Sequence, residues 1–203
     1  MYEFMGTGVR VNWNFNDIGK DMGADVYYGD NVPEQMYDEG SNSYFQTFFS
    51  KVGTSTNFST FFPDQSKEIV YHIIQLRERV RDEVTRGVRP MTEYTRLLLA
   101  CEPRMRDILF LRTMPGVGTL PHVDIRRKIA LNIGFQNSNT ATTYARSGTD
   151  LENFWDDYSK LKAYTLNDGD AYVMDVSQAH AVRSMLPEDS NVMRYIISYP
   201  LIK

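Results

Sequence analysis

Beyond Pro63 the apolar residues Ile69, Ile73, Leu76, Val80 and Val84 return at spacings of three and four, which lines them along one face of a helix. Asp64 is the expected N-cap, and Gly87 and Pro90 close the segment. A second helix is expected from Thr92 to about Cys101, with Glu93 in its first turn and Pro103 past its end. From Asp107 onward the signals become those of strands. Residues 108–114, 129–135, 141–145, 162–166, 171–175, 180–185 and 192–199 are short, rich in Val, Ile, Tyr and Thr, and parted by Gly, Asn, Asp and Pro turns. Within 128–135, Ile129, Leu131, Ile133 and Phe135 share one face, with Lys128, Ala130 and Asn132 on the other. This cadence predicts an all-β sandwich or barrel in the C-terminal half.

Residues 1–62 carry no sustained period, although 9–15 and 44–49 look extended. Their many aromatics, Trp13, Phe15, Tyr27 and Phe48 among them, are too numerous for a disordered tail and are expected to pack on the domain or line a pocket. The expected organisation is one domain over 1–203. An N-terminal extension with supporting helices occupies 1–105, and the β core occupies 106–203.

Composition changes this picture only by exclusion. A chain of 203 residues with 42% hydrophobic and 24% charged content is ordinary for a globular protein. At that size it folds without a disulfide or structural metal, so any metal is expected to be functional. The net charge of −4 is spread along the chain, so nucleic acid is not an expected partner. The arginines Arg77, Arg79, Arg81 and Arg86 alternate with acids and read as a solvated helix face. No run reaches the length of a membrane span. One cysteine, Cys101, and no signal-peptide pattern point to a reducing, cytoplasmic setting. Neither Gly6/Gly8 nor Gly116/Gly118 sits in the context of a phosphate loop.

The candidate chemistry starts at Leu-Pro-His-Val-Asp, residues 120–124. In an extended chain residues two apart point to one side, so His122 and Asp124 can grip one ion. Two further histidines exist. His72 lies on the first helix and reads as a helix-flank residue, whereas His180 opens a strand after the turn and strand at 167–175. Two imidazoles and a carboxylate on one side of a metal leave the remaining positions open, as non-haem iron requires. Zinc tolerates similar ligands, but closed zinc sites favour four ligands and thiolates. Taken alone, the His122/Asp124 pair also fits a loop histidine hydrogen-bonded to its neighbour.

Over roughly 107–200 the chain resembles the 2-oxoglutarate and iron(II)-dependent dioxygenases with a double-stranded β-helix core. Four ordered parts carry the resemblance: Met-Pro-Gly at 114–116, Pro-His-Val-Asp at 121–124, Gly169-Asp170 before a hydrophobic strand, and His-Ala-Val at 180–182 followed by an arginine opening the last strand. The resemblance implies an α+β protein with a jelly-roll core and supporting helices. Its site would hold Fe(II) on His122, Asp124 and His180, with 2-oxoglutarate and O2 as co-reactants. It also implies that Arg194 holds the distal carboxylate of 2-oxoglutarate, a role suited to the paired bonds of a guanidinium. Ser198 shares the strand face of Arg194 and is placed to assist. Arg194 follows His180 at a spacing of 14 positions, a few more than is common in the family, and Arg183 competes for the role.

The pattern is similar to the branch that hydroxylates amino acids or aspartyl side chains, where an arginine soon after the iron carboxylate helps hold the cosubstrate. Arg126 and Arg127 are both candidates. The implied substrate is a small molecule or a peptidyl side chain. Tyr144 and Arg146 are candidates for the pocket mouth, and Trp155 for a lid or packing residue. The competing reading is a cupin-like module that binds a metal or small ligand without oxygenase turnover.

Overall fold

The computed structural model describes residues 2–6, 37–38, 43–44, 46–47, 59, 62–113, 118–125, 127–187, 189–192 and 194–203. The N-terminal strands are β1 (Tyr2–Gly6), β2 (Tyr37–Asp38), β3 (Ser43–Tyr44) and β4 (Gln46–Thr47). Helices α1 (Pro63–Thr85) and α2 (Glu93–Ala100) follow. Then come β5 (Leu109–Thr113), β6 (Thr119–His122), β7 (Ile129–Gln136), β8 (Ala141–Ala145), β9 (Lys162–Thr165), β10 (Asp170–Asp175), β11 (His180–Ser184) and β12 (Arg194–Ile202). The expected extended piece at 9–15 lies outside the described residues. That at 44–49 is described in part, as β3 and β4.

Among the described residues, one antiparallel sheet has the order β1-β10-β7-β12-β5-β4 and another the order β6-β11-β8-β9. From β5 the chain passes to β6 in the second sheet, returns to β7, crosses to β8, turns back as β9, and then alternates through β10, β11 and β12. That nested alternation is a double-stranded β-helix, a jelly roll, with β1 and β4 widening its larger sheet. The expected core is thus the observed one, with two helices laid against its larger sheet.

The two-residue period explains how the larger sheet serves two surfaces at once. On β12, Tyr195, Ile197 and Tyr199 face the helices, where they pack with Ile69, Ile73 and Leu76 of α1 and Leu98 of α2. Ile129, Leu131, Ile133 and Phe135 of β7 join that cluster, as the alternation predicts. On the opposite face Ala130, Tyr172, Met174 and Ile196 form a second cluster between the sheets. Burial on both faces is why β7 has seven consecutive buried residues, Ile129 through Phe135, despite its polar member Asn132.

The N-cap expectation for Asp64 is corrected. Phe62 occupies the cap without a side-chain bond, and Pro63 takes the first helical position, where its fixed φ and missing N–H cost nothing. Asp64 sits in the first turn and pairs with Lys67 at 2.9 Å. Thr92 is the N-cap of α2, accepting from the Thr95 N–H at 3.1 Å. Glu3 of β1 fastens the edge strand to this corner, accepting from Thr92 and from Thr95 and pairing with Arg89. His72 lies 3.4 Å from Glu68 on α1, the helix-flank role expected of it. No helix among the described residues is long and apolar enough to cross a membrane.

Candidate metal centre

Strands β6 and β11 pair so that His180 stands directly across from His122. Residues opposed in an antiparallel pair project to the same face, and the two rings lie 4.2 Å apart between centroids. Beyond His122 the chain leaves the strand. Its new course is fixed by the Asp124 N–H donating to the Val176 carbonyl and the Val176 N–H donating to the Lys128 carbonyl, each at 2.8 Å. The Asp124 carboxylate is thereby held beside the imidazoles, with Oδ1 3.8 Å from His122 Nε2. One ligand atom from each of His122, Asp124 and His180 lies within 4.8 Å of the others.

Hydrogen bonds on the outer ring nitrogens orient both imidazoles. His122 Nδ1 lies 2.7 Å from the Leu120 carbonyl and His180 Nδ1 2.9 Å from that of Gln178. A carbonyl only accepts, so each Nδ1 carries the proton and each Nε2 keeps a lone pair for a cation. Burial first, and the neighbouring His122 second, press the His180 imidazole down to about 4, so the neutral, metal-binding form prevails at neutral pH. Two imidazoles and a carboxylate suit a divalent ion such as iron or zinc, and this donor set fits the group that the sequence implies.

The pocket that opens on His122 and His180 is also lined by Arg127, Arg194 and Ser198. Arg194 is 4% exposed, and its Nε donates to the Ser138 carbonyl at 3.1 Å. Ser138 is set in turn by Asp168, whose carboxylate accepts from the N–H groups of Asn137 and Ser138 at 3.1 and 2.8 Å. Of the turn that ends in Gly169-Asp170, it is Gly169 and the preceding Asp168 that serve the site, while Asp170 accepts from the Asn167 side chain at 3.0 Å. Gly169 adopts φ 79°, open to glycine without a Cβ penalty, and Asp168 beside it braces the loop that orients Arg194. Arg194 and Ser198 share a face of β12, as expected.

The sequence reading missed a polar row beside them. Register places Asn132 of β7 between Tyr172 of β10 and Ser198 of β12, and all three line the pocket. Thr143 completes it, 3.2 Å from the Tyr172 hydroxyl. The even-numbered face of β7, already marked polar by Asn132, was the available signal.

Three candidates fall elsewhere. Arg183, the rival anchor, lies on the outer face, its guanidinium 3.8 Å from the Trp155 ring centroid and donating to the Tyr158 hydroxyl at 2.7 Å. Tyr144 packs edge-on against Trp155, and Arg146 donates to the Asn153 carbonyl, so neither lines the pocket. The reason is parity, since Thr143 takes the inward position on β8. Trp155 is a packing residue, wedged among Phe154, Tyr144 and Tyr158. Of the two arginines after Asp124, Arg127 is in the site, whereas Arg126 lies outside the described residues.

No family model matches this chain, and no curated protein does. Solved structures resemble it at a distance. The non-heme alpha ketoglutarate dependent carbocyclase SnoK from nogalamycin biosynthesis is 12% identical, with a TM-score of 0.48 over 97% of this chain and 77% of that one. A Pseudomonas putida prolyl-4-hydroxylase is 11% identical, with a TM-score of 0.43 over 97% of this chain and 89% of that one. The Escherichia coli ribosomal oxygenase YcfD is 13% identical, with a TM-score of 0.47 over 98% of this chain. This chain spans only 47% of YcfD's length. Likeness at this level identifies no reaction, and the chemistry has to come from the site's own atoms.

One glycine lies where the chain entering β6 approaches β11 closely. A Cβ at Gly118 would stand 1.9 Å from the Val182 carbonyl oxygen, a backbone atom that cannot rotate away. Gly118→Ala is therefore expected to push β6 off β11. Stability should fall by about 1–3 kcal/mol, the usual cost of overpacking, and metal affinity should fall with it. Thermal unfolding of the metal-free protein beside a Co(II) titration checks this, and a variant unchanged in both would contradict the close approach.

Proposed function

We propose that this chain is a ferrous-iron and 2-oxoglutarate-dependent oxygenase that hydroxylates an amino acid or a peptidyl side chain. One observation carries the reading. The two histidines of a His/Asp/His ligand set and a buried arginine line the same pocket, the set suited to a metal with vacant positions and the arginine to an anion.

His122 Nε2, Asp124 and His180 Nε2 would hold the metal. Bound there, iron supplies the redox chemistry that couples decarboxylation of 2-oxoglutarate, giving succinate and carbon dioxide, to oxidation of a substrate carbon by O2. Arg194 and Ser198 would take the distal carboxylate of the cosubstrate. The guanidinium is charged at any working pH, and its burial strengthens the attraction by excluding water. Leu111, Met174, Val176 and Ile196 give the pocket apolar walls. The proposed substrate class rests on the resemblance of the Pro-His-Val-Asp and His-Ala-Val segments to the amino-acid and aspartyl hydroxylase branch.

Succinate release from 2-oxoglutarate, after anaerobic loading with Fe(II) and admission of air, tests the proposal. Iron-dependent release, increased by the right amino acid or peptide, is expected. A protein that binds metal yet releases no succinate is a binding module instead.

A further inference from the structure

Arg127 touches both ends of the candidate site. Its Nη2 lies 2.6 Å from Asp124 Oδ2, and its Nη1 donates to Ser198 Oγ at 2.6 Å. The other carboxylate oxygen, Oδ1, is the one turned toward His122 Nε2. A carboxylate can bind a metal through one oxygen or both, and binding through both occupies a position that a co-reactant would otherwise take. Here one oxygen already has a charged partner.

We infer that Arg127 is a positioning residue that makes Asp124 a one-oxygen metal ligand, and that it is not itself an anchor for the cosubstrate. This rests on the reading of His122, Asp124 and His180 as a metal site. Three features support it. Arg127 is separated from Asp124 by a bend that brings its guanidinium back under the carboxylate, a course fixed by the backbone bonds of Asp124 and of Lys128 to Val176. Its Nη1 is committed to Ser198, which steadies the guanidinium, and its Nη2 lies in ion-pair contact with Asp124 Oδ2, so it holds that oxygen by charge rather than by an aligned hydrogen bond. Ser198 connects it to β12, the strand that carries Arg194, so both ends of the pocket are tied to one strand.

Co(II), which air does not oxidise at such sites, serves as the metal probe in calorimetric titrations of the wild-type chain, Arg127→Met and Arg127→Lys. Outer partners of metal ligands set affinity by about 10–100-fold, so Arg127→Met should bind Co(II) weaker by that factor without any 2-oxoglutarate present. Its visible spectrum should shift to that of a higher coordination number as the second oxygen joins the metal. Arg127→Lys, which keeps one charged donor, should recover part of the affinity and the wild-type spectrum. With Co(II) saturating, 2-oxoglutarate affinity should fall far less than it does in Arg194→Ala, because Arg194 remains. Unchanged Co(II) affinity and spectrum in Arg127→Met overturn the inference, and loss confined to 2-oxoglutarate does so by making Arg127 an anchor. A wild-type chain that binds no Co(II) sinks the metal-site reading as well, an outcome distinct from the other two.

Discussion

His180→Ala is expected to lose more than about 100-fold in ferrous-iron affinity and all measurable 2-oxoglutarate turnover. Removing an outer partner costs about 10–100-fold, and deletion of one of only three protein ligands must exceed that. The fold should survive. His180 is one member of β11, and its backbone pairs with both Ala145 and His122 irrespective of the side chain. The substitution also removes a buried imidazole held neutral by its surroundings, so the metal-free variant should be less sensitive to acid than the wild type. In the wild type the His180 imidazole titrates near 4 when folded, against about 6.5 unfolded, so the unfolded chain binds the extra proton first as pH falls. Its stabilising share is present above about pH 6.5 and is lost between there and about pH 4. Urea unfolding of both metal-free proteins at pH 7 and pH 5 checks this, and an equal loss in both would mean that His180 is not the group responsible.

Arg194→Ala is expected to weaken 2-oxoglutarate far more than iron. Truncating one partner of a buried charge pair costs about 2–5 kcal/mol, or roughly 30-fold to several thousand-fold in dissociation constant. Iron affinity should stay within about threefold, because Arg194 bonds to the Ser138 loop and to none of the three ligands. Arg194→Lys retains the charge but not the fork, so its 2-oxoglutarate affinity should fall between the two. Equal weakening of iron and 2-oxoglutarate in both variants would show that the anchor lies elsewhere.

Sequence periodicity revealed these residues unevenly, for physical reasons. Within an element the side-chain direction follows from local geometry, so the α1 face, the alternation of β7 and the shared face of Arg194 and Ser198 were all readable. The His122/Asp124 pair was readable as well, although Asp124 owes its place to the Val176 carbonyl rather than to a strand continuing past His122. That early exit is also why parity could not choose between Arg126 and Arg127. Once the chain bends, the two-residue period no longer holds.

What sequence could not supply was register between distant strands. The facing of His180 and His122, and the Tyr172–Asn132–Ser198 row, are set by how β6, β7, β10, β11 and β12 align across the barrel. Strand β6 is absent from the expected strands, although the pairing of His122 with Asp124 treats 120–124 as extended chain. Gly118 is required by the close approach of Val182, and Pro121 sits next to a register shift in the pairing with β11. Both faces of β8 are covered, so the choice between Thr143 and Tyr144 as the inward residue had no local signal.

The most direct test is a crystal grown without oxygen and soaked with ferrous iron and a non-reactive 2-oxoglutarate analogue. The predicted density has one iron bonded to His122 Nε2, to a single oxygen of Asp124 and to His180 Nε2, with the analogue chelating it and its far carboxylate on Arg194. Iron held by any other side chains, or an analogue whose far carboxylate lies away from Arg194, would contradict the account.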